Sequence, residues 1–111
     1  MKGKLIVSEK NKLIAIPVEQ IIRLESSGTY TIIYCKDNRK LMSCKYLKTI
    51  HAELDGKMFL RVHKMHVVNL NEVREYEKGR GGYVIMSDKS NVPVSQRKKS
   101  HFLSGWRTKA A

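Results

Sequence analysis

The stretch Arg61 to Asn71, R-V-H-K-M-H-V-V-N-L-N, limits what this chain can fold into more than any other. Arg61, His63, Lys64 and His66 are interleaved with or flanked by Val62, Val67, Val68 and Leu70, so the segment can be neither buried whole nor left wholly in water. One side must anchor it while the other faces solvent or a partner. Apolar residues that fix the backbone leave the cations less to order when an anion binds, which is what reading a shaped anionic surface requires. Taken alone, these residues also fit an ordinary amphipathic strand followed by a turn. The rest of the chain decides between the two.

Charge favours the anion. Lys plus Arg total 22 against 10 Asp plus Glu, a formal net charge of +12 with a sequence pI near 9.9. For one small domain this is the electrostatic footprint of a polyanion binder. Residues 57–111 hold 12 of the 22 cations and 4 of the 10 acids, so the contact face is fed mainly by the second half. An RNA, an acidic protein or an anionic membrane surface would satisfy the same physics. The 111 residues fit a single domain over 1–111, able to bury roughly two thirds of its unfolded surface. Cys35 and Cys44 are too few and too close for a secreted disulfide framework, and no charged segment followed by an apolar stretch opens the sequence. A cytoplasmic location with reduced thiols is therefore expected. No run approaches the roughly 20 apolar residues of a membrane-spanning helix.

Hydrophobic periodicity predicts short strands. Lys4 to Val7 and Lys12 to Ile16 flank a polar Ser8-Glu9-Lys10-Asn11 loop, Pro17 starts one turn over Val18-Glu19-Gln20, and Ile21 to Leu24 resumes a strand. After Gly28, Thr29 to Tyr34 is β-branched or aromatic at every position. A two-residue Asp37-Asn38 turn would pair Lys36 with Arg39, Tyr34 with Leu41 and Ile33 with Met42. Over Lys45 to Leu54 the period changes, with Leu47, Ile50 and Leu54 on one helical face, Ser43 as the N-cap and Asp55-Gly56 as the stop. Met58 to Val62 and Leu70 to Tyr76 read as strands. Tyr83 to Ser87 and Asn91 to Val94 form a last hairpin, with Pro93 marking an edge. Ser95 caps a final helix from Gln96 to about Arg107, with Phe102, Leu103 and Trp106 on one face.

Catalytic and metal chemistry find little support. His63 and His66 have no third ligand at a motif spacing and cationic neighbours, so no metal or other cofactor is expected. Neither cysteine carries a nucleophile signature, and both are assigned to structure. The glycine-rich Glu77 to Gly82 segment lacks the Lys-Ser/Thr and the helix of a phosphate-binding loop, and reads as a mobile hairpin loop. No enzymatic role is expected. Tyr30, Tyr34 and Tyr83 fall in strands where core packing explains them, which weighs against an RNA-stacking surface.

Four blocks carry a family resemblance: L-E-S-S-G-T-Y at 24–30, the helix ending in E-L-D-G, F-L-R-V-H-K-M-H-V-V-N-L at 59–70, and Y-V-I-M-S-D-K-S-N-V-P-V-S-Q-R at 83–97. In this order and spacing, over about residues 5–103, the chain resembles the LytTR family of bacterial DNA-binding domains. The resemblance implies a mostly β fold, an elongated arrangement of several small antiparallel sheets with one internal amphipathic helix and a C-terminal helix. It further implies a bacterial transcriptional regulator whose loops and strand ends read successive major grooves of double-stranded DNA. Base-reading sites carry over to Thr31, Lys64 and Arg97, with Lys64 and Arg97 on separate loops placed in different grooves. Arg97 suits the paired acceptors of guanine, Lys64 the same acceptors singly, and Thr31 a thymine methyl or a phosphate, with Tyr30 or Thr29 able to take its place. Lys45, Arg61, His63, Lys98 and Lys99 become phosphate or supporting contacts, while His66, Val68 and Asn69 hold the loop. Relatives bind paired direct repeats, which implies two copies, as a possible homodimer, on DNA. Many also follow a receiver domain served by a histidine kinase; no receiver domain is present in these 111 residues.

Overall fold

The computed structural model describes residues 3–110. Alternating apolar residues make an antiparallel hairpin of β1 (Lys4–Glu9) and β2 (Lys12–Pro17), with Leu5 opposite Ile16 and Val7 opposite Ile14. A single 3-10 turn, Val18–Gln20, follows Pro17. Five strands then form the central antiparallel sheet: β3 (Ile21–Ser27), β4 (Tyr30–Cys35), β5 (Lys40–Ser43), β6 (Phe59–His63) and β7 (His66–Asn69), in the order β5-β4-β3-β7-β6. A short helix, α1 (Leu47–Ala52), connects β5 to the β6–β7 hairpin. A three-stranded sheet of β8 (Val73–Glu77), β9 (Tyr83–Met86) and β10 (Asn91–Pro93), then α2 (Lys99–Ala110), complete a molecule of 44 × 30 × 24 Å.

Alternation on the central strands divides the core in two. Leu24, Ile33, Leu41, Phe59 and Val67 pack against the β1–β2 hairpin and α1, whereas Ile22, Leu60, Val62 and Val68 pack against the second sheet and Phe102 of α2. Because Val67 and Val68 are both fully buried, β7 is covered on both faces. Each such side chain contributes about 1.5–3 kcal/mol of burial, so the strand leading away from the cationic hairpin is firmly anchored. Asn69 closes it: its buried side-chain amide donates to the Ile21 carbonyl at 2.8 Å and its Oδ1 accepts from Asn71 N at 2.9 Å. Glu72, also buried, accepts from the Ser87 hydroxyl at 2.7 Å and meets Lys36 Nζ at 3.2 Å, tying the small sheet to the large one.

Several expectations shift. Residues 36–39 form a wider turn than the two-residue one predicted, with Asp37 and Asn38 both at positive φ and a 3-10 segment, Lys36–Asn38. Ile33 consequently faces Leu41, and Tyr34 faces Lys40. The predicted register would have moved Leu41 to the face of Tyr34, out of the core; its burial beside Ile33 overrides the turn signal. The internal helix is six residues long, begins after Tyr46 and has no side-chain cap, because the Ser43 hydroxyl instead accepts from Lys45 N at 3.2 Å. Leu70–Glu72 is a 3-10 turn where a strand was expected, and Gln96–Lys98 is a 3-10 turn leading into α2. Tyr30 and Tyr83 are exposed, at 48% and 36%, where core packing was expected, and Cys44, assigned to structure, is also exposed. Pro93 does lie on an edge strand, and Phe102, Leu103 and Trp106 share the packed side of α2.

Candidate nucleic-acid interface

The β6–β7 hairpin ends in the two-residue tip Lys64-Met65, where a register irregularity between Arg61 and His63 kinks the strand pair. Local polar contacts hold this tip on every side. The Arg61 guanidinium donates from Nε to the His63 carbonyl at 3.2 Å and from Nη2 to the Lys64 carbonyl. Met65 N donates to His63 Nδ1 at 3.1 Å, and Ser26 N on β3 donates to the Met65 carbonyl at 2.9 Å. His63 and His66 bring their rings to 5.3 Å, and His66 on β7 lies opposite Glu25 on β3. Burial pushes the His66 imidazole below its ordinary value, against the raising effect of Glu25 and with smaller lowering effects from His63 and Arg23. Its Nδ1 is buried and has no hydrogen-bond partner among the described residues.

A backbone bond, Ser95 N to the Val62 carbonyl at 2.8 Å, docks the start of the C-terminal helical segment beside this hairpin. The two elements enclose a cleft of about 520 Å³ whose walls carry Arg61, His63 and Lys64 from the hairpin and Ser95, Gln96, Arg97 and Lys98 from the segment before α2. Among the described residues its lining holds four permanent cations and no carboxylate. Lys64 and Arg97 are exposed, and Lys98 and Lys99 are half-buried, with Lys99 outside the lining. The cleft is thus open, cationic and built on backbone fixed by local hydrogen bonds, which suits an extended anion far better than a reaction needing exclusion of water.

Not every expected residue lies there. Thr31 is fully buried and its hydroxyl donates to the Lys45 carbonyl at 2.8 Å, so in this fold it holds the turn after β5 and has no surface to offer a base. Tyr30 instead borders a second hollow with Met42, Cys44 and the β1–β2 turn. Lys45 is exposed but pairs with Glu53 at 3.1 Å, so its charge is partly answered before any partner arrives. Arg61 reaches the cleft, yet its guanidinium is engaged by the hairpin carbonyls. Lys64 lies at the β6–β7 tip and Arg97 in the 3-10 turn Gln96–Lys98 before α2, and the two converge on one cleft. Sequence reasoning missed Gln96 and Ser95 in the lining and Met65, which is 39% exposed at the tip. Among adjacent clues only the polar run before the last helix pointed to the first two.

Comparison with known proteins agrees with this architecture. The model of the LytTr DNA-binding domain matches residues 11–106. Two heme-containing CO-sensing transcriptional regulators of Paraburkholderia xenovorans (strain LB400), RcoM 1 and RcoM 2, are 33% and 34% identical over 96 residues, covering 84% of this chain. The match spans only 36% of the length of either regulator. The LytTr DNA-binding domain of a putative methyl-accepting/DNA response regulator from Bacillus cereus superposes with a TM-score of 0.79 at 22% identity, covering 93% of this chain and 95% of that one, a likeness of fold. With a family model matched over most of its length and its β-rich fold shared, the chain belongs to the LytTR family of DNA-binding domains.

Proposed function

We propose that this domain binds double-stranded DNA with sequence preference, as the DNA-binding part of a bacterial transcriptional regulator. The observation that carries the reading is the cleft itself: four permanent cations and a histidine from two converging loops, with no acid among them. Arg97, exposed at the mouth, presents a planar fork that matches guanine O6 and N7, and Lys64 offers a single strong donor from a fixed tip. Lys98 and Lys99 follow Arg97 on the helical segment, and their role in this reading is to neutralise backbone phosphates, which sets register without specifying sequence. Binding to paired direct repeats by two copies, and control by a receiver domain or another sensing part of a longer protein, fit this role. Of the two Paraburkholderia regulators, it is the transcriptional function that this domain would share.

The test is a titration against a selected duplex site, single-base variants and random duplex. Arg97→Ala should weaken the selected site by roughly 1–3 kcal/mol, random duplex much less, and relax preference at one base position. Lys98→Ala should weaken all sequences alike and reduce the slope of log K against log salt by about one. Equal losses on every duplex for Arg97→Ala would reassign that residue to the backbone.

A further inference from the structure

Arg61 is bonded directly to the main chain of the hairpin tip, which sets it apart from Lys64, Arg97 and Lys98 in the same cleft. Its Nε and Nη2 engage two successive main-chain carbonyls, His63 and Lys64, which lie on either side of the point where β6 turns into the tip. With Met65 N on His63 Nδ1 and Ser26 N on the Met65 carbonyl, the main chain of all three residues from His63 to Met65 is held by side chains or by the neighbouring strand. The Lys64 side chain therefore leaves a backbone that is already ordered. We propose that Arg61 is a positioning residue: it clamps the hairpin tip so that Lys64 and Met65 meet DNA in one fixed pose, and it does not itself neutralise a phosphate. The proposal rests on the DNA-binding reading for its consequence, but the clamp exists in the free protein.

Lysine cannot replace this group. A guanidinium spans two acceptors with parallel donors in one plane, whereas an ammonium on a flexible stem satisfies one point and leaves the second carbonyl to water. The tip would then sample several conformations, and binding would have to order it. Ordering one loop segment of this kind weakens binding by about three- to tenfold, and only where the pose matters, on the preferred sequence. A direct phosphate contact has the opposite signature, since lysine retains its charge and alanine removes one counterion from the salt dependence at every sequence.

The experiment uses the 111-residue chain with Arg61→Lys and Arg61→Ala. In the free protein, amide exchange at Ser26 and Met65 should quicken by about tenfold or more in both variants, while amides of the β1–β2 hairpin keep wild-type protection. Unchanged exchange at Ser26 in both variants overturns the clamp. On DNA, Arg61→Lys should lose about three- to tenfold on the selected duplex and less than about twofold on random duplex, with an unaltered salt slope. If Arg61→Lys binds as wild type and Arg61→Ala weakens every duplex equally with a slope lower by about one, Arg61 is a phosphate contact and the proposal fails. If the wild type distinguishes no duplex from another, the DNA-reading function fails, while the exchange measurement still decides the clamp.

Discussion

Thr31→Val separates holding the fold from reading DNA. Thr31 is fully buried, pairs with Ser43 across β4 and β5, and donates its hydroxyl to the Lys45 carbonyl at 2.8 Å. Valine fills nearly the same volume, so no cavity opens and the change reduces to one lost hydrogen bond and one carbonyl left without its partner. The bond is part-buried, since Lys45 is exposed; such a bond contributes about 0.5–1.5 kcal/mol net, and partial desolvation of the carbonyl left behind takes the loss to about 1–2 kcal/mol. For a domain of this size that lowers Tm by about 5–10 °C. Because the side chain has no exposed surface, affinity for a selected duplex, titrated well below the melting transition, should stay within about threefold of wild type. Thermal unfolding by circular dichroism and fluorescence titration at one stated salt concentration read the two effects separately. An unchanged Tm with a loss in affinity beyond about tenfold and altered preference at one base would refute the structural role and return Thr31 to the DNA face.

Lys64 and Arg97 line one cleft of about 520 Å³, so their alanine variants should be coupled: once one is lost the bound group is less well held for the other, and the double variant should cost less than the sum by about 0.5–1 kcal/mol in a binding titration. Strict additivity would place them on separate parts of the duplex. Cys44 is exposed and Cys35 is buried, with its thiol pushed up by burial against the lowering effect of Arg39, so a thiol reagent on the native protein should modify one cysteine quickly and the second only on unfolding. Equal reaction rates would contradict the packing of β4. His66 is held below its ordinary value of 6.5 chiefly by burial, so the unfolded chain takes up its proton first; its contribution to stability is complete above about pH 6.5 and declines as pH falls toward the folded value. Denaturant unfolding of wild type and His66→Gln over that range should show a shallower decline for the variant, and identical profiles would remove His66 as the cause.

What the sequence disclosed and what it hid follow a physical division. Period-two alternation located the strands, because each is buried on at least one face, and the i, i+3, i+7 spacing of Leu47, Ile50 and Leu54 located α1. Boundaries failed where polar side chains chose between equivalent partners: Ser43 capping a turn before the helix and Asn69 ending β7 in a 3-10 turn are tertiary outcomes that local pattern does not encode. Arg61, Lys64 and Arg97 stood out by type and position. Their convergence depends on Ser95 N bonding to the Val62 carbonyl, a contact between residues 33 positions apart that no local signal announces. For the same reason Thr31 looked available from its motif and proved to be core.

Competition at controlled salt tests most directly whether the cationic cleft meets duplex DNA. Labelled selected duplex is bound by the chain and challenged with unlabelled duplex, RNA of matched length and anionic vesicles, with the titration repeated from roughly 50 to 200 mM salt. Neutralising on the order of five phosphates gives a slope near −4.5 and a loss approaching three decades over that range, with the selected duplex the strongest competitor. A slope near zero, or RNA or vesicles competing as well as the selected duplex, would contradict the account.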